Sequence, residues 1–441
     1  MPAGLFTIHT FGCQMNEHDS ERLAGLLREA GYEPSPAPEE SDLVVVNTCS
    51  VRAKSEEKLF SLLGRLAFRK KRRAFRLAVV GCTAQIHGER IMARVPEVDY
   101  VLGPESESRL PELLSRGIGK AVALEQSAAW RESEPRTVPR ASPASAYVTI
   151  MEGCDNFCTY CIVPYARGRE KYRPARLVRA EVESLVRDGY KEITLLGQNV
   201  NSYRDPEGGL PFSGLLCDVG SLAAGIWLRF LTSHPKNFGS DLIAALKTVP
   251  ALCRQIHLPL QSGSSRVLKT MNRGYSRDDY LGLVSSLREA MPGLELSTDV
   301  IVGFPGETEE DFVATLDVLD RVRFANIFSF RFSPRPMTAA AGREDDVPLS
   351  VKKRRLIELQ ALQKGIQHER NRALVGTERT VLCTGVSKKG GPFFCGRDES
   401  HRVVNFSWNG AVSPLHRFLS VRISDCGPYS LRGEGLGFSP A

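Results

Sequence analysis

Cys154, Cys158 and Cys161 stand in the run GCDNFCTYCIVPYARGR, spaced Cys-x-x-x-Cys-x-x-Cys. Thiolates are soft ligands that select zinc, copper or iron–sulfur clusters, and three of them on one short loop point to a metal site. A structural zinc site closes four ligands, and this triplet supplies one too few. Iron–sulfur cubes are held by several cysteines, normally four. A cube held by three leaves one iron open, and an open iron can bind a substrate. The plainer alternatives are a reduced structural triplet or a zinc knuckle short of a ligand.

A second trio is scattered. LFTIHTFG leads into Cys13, DLVVVNT into Cys49 and RLAVVG into Cys82. Each run is apolar or β-branched and suits a buried strand. Between them Ser20 to Glu29 has helical spacing, with Leu23, Leu26 and Leu27 on one face, and Lys54 to Ala67 carries a stripe of Leu59, Leu62, Leu63 and Leu66. Alternating strands and helices imply a mostly parallel sheet, and open α/β sheets bind ligands beyond the carboxyl ends of their strands. Any one of these cysteines reads as a buried core thiol. Three at equivalent strand ends read as a second metal cluster. Gly12 and Gly81 precede two of them and are expected to let the backbone approach a bulky group closely.

The elements that must position these residues fall into three blocks. Residues 4–124 form the N-terminal parallel α/β sheet domain. Glu125 to Ala146, rich in Pro, Ser and Arg, reads as a linker. Residues 147–371 hold six strand candidates: Tyr147 to Met151, Glu192 to Leu196, Trp227 to Leu231, Gln255 to Leu260, Ser297 to Val302 and Asn326 to Phe330. Helical segments Leu177 to Arg187, Asp241 to Lys247, Arg277 to Ala290 and Glu309 to Val322 lie between most of them. This pattern predicts a partial (βα)6 barrel with chemistry on its carboxyl-end loops, where the cysteine loop falls. Lys352 to Leu374 is a charged helical connector. Residues 372–437 change to short strands and turns (RTVLCTGV, GPFFCGR, HRVVNF, FLSVRIS, YSLRGE), which predict a small antiparallel β barrel. Such barrels serve as oligonucleotide binders or as plain spacers.

The chain has 441 residues, 42% apolar and 25% charged, as in an ordinary globular protein. No run approaches the roughly 20 apolar residues of a membrane span, and no secretory leader is visible. Eleven cysteines, an odd number, fit a reducing cytosol and not a disulfide scaffold. The net charge of +7 permits an acidic partner such as RNA. The densest patch is Arg69, Lys70, Lys71, Arg72, Arg73 and Arg76, either a solvated helix end or a phosphate-binding cluster. Cys217, Cys253, Cys383, Cys395 and Cys426 show no ligand spacing and read as structural.

With these residues in hand, the chain resembles the methylthiotransferases of the radical S-adenosylmethionine (radical SAM) class. The resemblance runs from about Leu5 to Leu436 and rests on long motifs: TFGCQMNEHDSE, NTCSVRAKSEEKLFS, VVGCTAQ, the cysteine loop, LLGQNVNSY, TSHPKNF, HLPLQSGSSRVLKTMNRGY and STDVIVGFPGETEEDF. Asn237 departs, at a position often occupied by aspartate. The final barrel resembles the TRAM RNA-binding domain. The resemblance implies two 4Fe-4S clusters and S-adenosylmethionine. The cluster on Cys154, Cys158 and Cys161 would bind the cofactor and split it to a deoxyadenosyl radical. The cluster on Cys13, Cys49 and Cys82 would present sulfur, and a second cofactor molecule would give the methyl group. Carbon two of an adenine offers no acidic proton, so a radical is needed there. Strand-end position puts Gln198, Gln261, Ser297, Asp299 and Gly303 in the cofactor pocket. Arg69, Lys70, Arg72 and Arg73 are the expected RNA contacts.

The branch most resembled acts on isopentenyl-adenosine beside the anticodon. The expected partners are therefore a tRNA anticodon stem-loop and an electron-donor protein, in the cytoplasm, with no membrane. Two alternatives stay open: a sister methylthiotransferase acting on threonylcarbamoyl-adenosine tRNA or a ribosomal protein, and a non-catalytic iron–sulfur protein that binds RNA or senses redox state.

Overall fold

The computed structural model describes residues 3–51, 53–130, 135–388 and 390–440. Part of the expected linker, residues 131–134, lies outside the described residues. The chain divides into two compact units. One comprises Met1–Ala141, Met151–Arg173 and Ser333–Ala341, and the other comprises Ser142–Ile150, Pro174–Phe332 and Gly342–Ala441. The segment carrying Cys154, Cys158 and Cys161 thus belongs to the same unit as the N-terminal sheet.

In the first unit, β1 (Gly4–Phe11), β2 (Tyr32–Pro34), β3 (Leu43–Thr48), β4 (Arg76–Val80), β5 (Tyr100–Leu102) and β6 (Ala121–Ala123) form a six-stranded sheet in the order β2-β1-β3-β4-β5-β6. Every pairing is parallel. The period-two alternation of a strand splits its apolar residues between both faces. Val44, Val46, Leu77 and Val79 pack beneath the leucine stripe of α2 (Ala53–Lys70). Leu43, Val45, Ala78 and Val80 pack with Leu23 and Leu27 of α1 (Gln14–Glu29) on the other face. The helix α1 starts six residues before the sequence spacing suggests, because Cys13 acts as its N-cap with Asn16 closing a capping box. The short helices α3 (Cys82–His87), α4 (Glu89–Arg94) and α5 (Leu110–Ser115) complete this layer. The segment after β7 (Ser145–Thr149) adds the hairpin of β8 (Met151–Glu152) and β9 (Lys171–Tyr172), with α6 (Val163–Arg167) between them. A Lys171–Glu105 ion pair ties this hairpin to the sheet's own loops.

In the second unit, β7, β10 (Glu192–Leu196) and β11 (Trp227–Phe230) form one parallel sheet. A second consists of β12 (Gln255–His257), β13 (Glu295–Val302) and β14 (Asn326–Arg331). The helices α7 (Ala175–Arg187), α8 (Phe212–Leu222), α9 (Ser240–Thr248), α10 (Ser265–Thr270), α11 (Arg277–Ala290) and α12 (Glu309–Val322) cover them. Main-chain bonds from Leu228 N to Ala251 O (2.8 Å) and from Cys253 N to Leu228 O (3.0 Å) link β11 to the start of β12. The result is the expected partial (βα)6 barrel.

The connector is α13 (Leu349–Arg372). After it β15 (Glu378–Val386), β16 (Phe393–Asp398), β17 (Val403–Ser407), β18 (Phe418–Cys426) and β19 (Ser430–Phe438) close a barrel in the order β15-β16-β17-β19-β18. It is not wholly antiparallel, since β19 closes the cylinder by pairing parallel to β17. Arg229 on β11 is fully buried and fastens this barrel in place. Its Nε donates to Glu192 Oε1 at 2.6 Å, and its Nη atoms donate to the carbonyls of Glu399 (2.7 Å) and Asp398 (3.3 Å). Trp227 and Phe418 pack beside it, their rings tilted at 56° with centroids 4.8 Å apart.

Removing one partner of a buried charge pair strands the other, at a cost of about 3–5 kcal/mol. Arg229→Ala is expected to destabilise the chain by that order in urea unfolding. The pair Arg422–Glu378 is more than half exposed on both sides, so Arg422→Ala is expected to change stability by under about 1 kcal/mol.

Candidate active site

The strands β1, β3 and β4 are neighbours, and their register sets Phe11 level with Thr48 and Asn47 level with Val80. Cys13, Cys49 and Cys82 follow those positions by two, one and two residues, so all three emerge from one edge of the sheet. Cys49 and Cys82 are buried and Cys13 half-buried. Each sulfur receives a hydrogen bond. The N–H groups of Met15 and Asn16 donate to Cys13 Sγ. Val51 N donates to Cys49 Sγ at 3.3 Å, and Arg167 Nε donates to Cys82 Sγ at 3.3 Å. The Cys49 thiol also donates to Cys13, and that bond chiefly brings the Cys13 thiol down to about 6 while the Cys49 thiol is pushed up. Burial pushes Cys82 up as well.

Beneath the thiols lies a buried amide pair that the sequence reading missed. Asn16 Nδ2 donates to Asn47 Oδ1 at 3.0 Å, and Asn47 Nδ2 donates to Asn16 O and Ser20 Oγ, both at 3.0 Å. The only local signal was Asn47 itself, a polar residue ending an apolar strand. This pair also explains the two glycines. A Cβ on Gly12 would stand 2.3 Å from Asn16 Oδ1, and one on Gly81, at φ +89°, would stand 2.3 Å from Asn47 Oδ1. Here the close approach they permit is to the amide pair.

The donor set suits an iron–sulfur cube. Three cysteine sulfurs are present, each with a donor on it, and hydrogen bonds to cluster sulfurs are one of the protein's levers on such a group. The hydroxyls of Thr48, Ser50 and Thr83, flanking Cys49 and Cys82, are buried with no hydrogen-bond partner among the described residues. Buried hydroxyls rarely go unpaired, and a sulfur-rich guest would accept from them. Among the described residues, no group of three His, Cys, Asp or Glu side chains is arranged for a single metal ion. A cube makes a different demand, because each thiolate binds its own iron.

Cys154 and Cys158 are buried and Cys161 half-buried on the loop after β8. Cys154 N donates to Gly168 O at 3.2 Å, Cys161 N to Cys158 O at 2.9 Å, and Ala340 N to Thr159 O at 2.7 Å, which fixes the loop at three points. Asn156 Nδ2 donates to Cys154 Sγ at 3.4 Å. Burial pushes the Cys154 thiol up to about 11.

The expected cofactor residues lie in the second unit. Ser297 and Asp299 are brought together by His257, which the sequence reading passed over although it opens HLPLQSG. Its Nδ1 is 3.0 Å from Ser297 Oγ and its Nε2 is 3.3 Å from Asp299 Oδ2. Gln261, at φ +69°, pairs through its backbone with Asp299 and Ile301. Gln198 is half-buried in the turn after β10. Gly303 gives its N–H to Glu307 Oε1 at 2.8 Å, and a Cβ there would meet Lys352 Cγ at 2.3 Å.

The basic run is largely committed to internal contacts. Arg73 donates to the carbonyls of Glu40 (2.6 Å) and Ser41 (2.7 Å), Lys70 to Glu97 O (2.6 Å) and to Asp99, and Arg69 to Pro38 O (3.1 Å). Arg72 instead lies over the exposed ring of Phe68, 4.5 Å from its centroid.

Comparison with known proteins places this architecture. Residues 5–103 match the model described as "Uncharacterized protein family UPF0004", and residues 148–319 match that of the radical SAM superfamily. A protein of Geobacter sulfurreducens named tRNA-2-methylthio-N(6)-dimethylallyladenosine synthase is 48% identical over 97% of this chain and 96% of its own. One of that name from Myxococcus xanthus is 42% identical over 97% and 93%. This chain belongs to that family. It is a radical SAM enzyme, and membership of that superfamily carries S-adenosylmethionine and a 4Fe-4S cluster. Among solved structures, the radical methyltransferase TsrM of Kitasatospora setae matches with a TM-score of 0.56 at 17% identity, over 76% of this chain and 75% of TsrM. The cobalamin-dependent enzyme OxsB matches with a TM-score of 0.54 at 12% identity, over 82% of this chain and 56% of OxsB. These two likenesses concern the fold. No helix among the described residues is long and apolar enough to cross a membrane.

Gly153, at φ +79°, sets the entry to the cysteine loop, and a Cβ there would stand 2.0 Å from Arg169 O. Gly153→Ala must move backbone. It is expected to cost about 1–3 kcal/mol in urea unfolding and to speed alkylation of Cys154, followed by peptide mass spectrometry.

Proposed function

We propose that this chain adds a methylthio group to carbon two of N6-isopentenyladenosine beside the anticodon of tRNA, using one cluster on Cys154, Cys158 and Cys161 and a second on Cys13, Cys49 and Cys82. The observation that carries the reading is the convergence of the second trio on one sheet edge, each sulfur already given a donor. One such trio suffices to cleave the cofactor, so a second calls for a further task, the delivery of sulfur. The names of the relatives supply the nucleoside. When bound, the clusters and S-adenosylmethionine supply the radical, the sulfur and the methyl group.

The protein's own residues hold and orient. Gln198 and Gln261 offer polar groups to the cofactor from the segments after β10 and β12, Ser297 and Asp299 do so from within β13 and not from its end, and His257 fixes Ser297 and Asp299 relative to each other. Gly303 serves there by shaping the turn after β13. The terminal barrel takes the anticodon stem-loop. Of the basic run, Arg72 on Phe68 is best prepared for a phosphate or base, whereas Arg69, Lys70 and Arg73 contribute long-range charge. An electron-donor protein of the cytoplasm completes the system.

Anaerobic reconstitution is expected to give about eight irons and eight sulfides per chain, and about four after Cys154, Cys158 and Cys161 are made alanine. A wild-type chain that saturates at four removes the second cluster. Nucleoside mass spectrometry of tRNA from a deletion strain should show isopentenyladenosine without its methylthio form. An intact methylthio nucleoside there, with loss of another, would move the activity to a sister substrate.

If Arg72 meets a phosphate, Arg72→Ala should lower the slope of log affinity for tRNA against log salt by about one unit. Lys70→Ala should change that slope by well under one unit and lower stability. The reverse pattern would return the basic run as a whole to the RNA surface.

A further inference from the structure

Arg167 stands out among the buried charges of the first unit. It lies on α6, six residues beyond Cys161, with its side chain 3% exposed. Its guanidinium faces three groups. Nε donates to Cys82 Sγ at 3.3 Å, Nη2 is paired with Asp19, and Nη1 is 3.9 Å from Glu152 Oε1. Asp19 sits on α1, the helix capped by Cys13, and Glu152 on β8, two residues before Cys154. One side chain therefore joins the segment bearing the radical-loop cysteines to a ligand of the other trio.

A guanidinium stays charged in proteins, and burying one is costly unless it is paired and hydrogen-bonded. Asp19 alone would have satisfied the pairing. The Nε edge is turned instead to a thiol, and a cation donating to a ligand sulfur withdraws charge from it. The potential of an iron–sulfur cluster rises with such hydrogen bonds and with nearby positive charge. We propose that Arg167 is a positioning residue of the N-terminal cluster, holding Cys82 toward the metal and making that cluster easier to reduce by one electron. This rests on the two-cluster reading above.

The test uses the full chain with Cys154→Ala, Cys158→Ala and Cys161→Ala, so that the only cluster is the N-terminal one. After anaerobic reconstitution, iron is counted and the cluster is titrated with dithionite as the one-electron reductant, followed by electron paramagnetic resonance. The parent is expected to hold about four irons. Arg167→Gln should be at least about tenfold harder to reduce, a shift of about 59 mV to lower potential for one electron. Arg167→Lys keeps the charge and should lie between the two. Since Arg167→Gln strands Asp19, the double variant Arg167→Gln, Asp19→Asn removes the buried pair together and should shift in the same direction.

A parent holding no iron overturns the two-cluster reading and this proposal with it. A parent with four irons, and a folded single or double variant of unchanged potential, overturns this proposal alone.

Discussion

A parallel ladder dictates which residues stand level at the end of a sheet, and the register of β1, β3 and β4 leaves Phe11, Thr48 and Val80 as near neighbours along one edge. Everything at the N-terminal site follows from that constraint. The chain turns into a helix or a loop directly after each strand, so a cysteine placed one or two residues on cannot escape its counterparts. A register slip of one residue would exchange the faces of a strand, unmake the side-chain packing on both of them and scatter the thiols. The apolar residues packed on both faces of the sheet make that slip prohibitive.

Thiols so grouped are held by polar contacts that the sheet alone does not provide. The Asn16–Asn47 pair ties the first turn of α1 to the end of β3, and Gly12 and Gly81 make room for it. The loop carrying the other three cysteines is fixed by its own main-chain bonds and by Ala340 from a distant segment. The second unit is organised in the same spirit: His257 bridges Ser297 and Asp299, and Arg229 secures the terminal barrel through two main-chain carbonyls.

Much of this was legible in the sequence because it depends on local periodicity. The leucine stripe of α2 and the strands ending at Cys49 and Cys82 follow from spacing, and Arg277–Ala290 and Glu309–Val322 appear with the expected bounds. The early start of α1 was hidden because a cysteine is an unusual N-cap. The parallel β17–β19 pair was hidden because strand direction is set by closure of the barrel, which no short run encodes. Arg167, His257 and the asparagine pair act through partners tens of residues away. The basic run shows a further limit. As a string it suits a solvated helix end or a phosphate site, and it does not reveal that Lys70 and Arg73 reach carbonyls of loops some thirty residues distant in sequence.

The two cysteine trios divide the labour in this proposal, and one measurement addresses that division directly. A chain with Cys13, Cys49 and Cys82 replaced by alanine is supplied with S-adenosylmethionine, dithionite and isopentenyl-adenosine tRNA. Deoxyadenosine and methylthiolated nucleoside are then quantified together. A division of labour predicts that deoxyadenosine still forms while no methylthio product appears. Methylthiolated tRNA at the wild-type rate would contradict it, and so would the loss of all deoxyadenosine from a folded chain whose other cluster is intact.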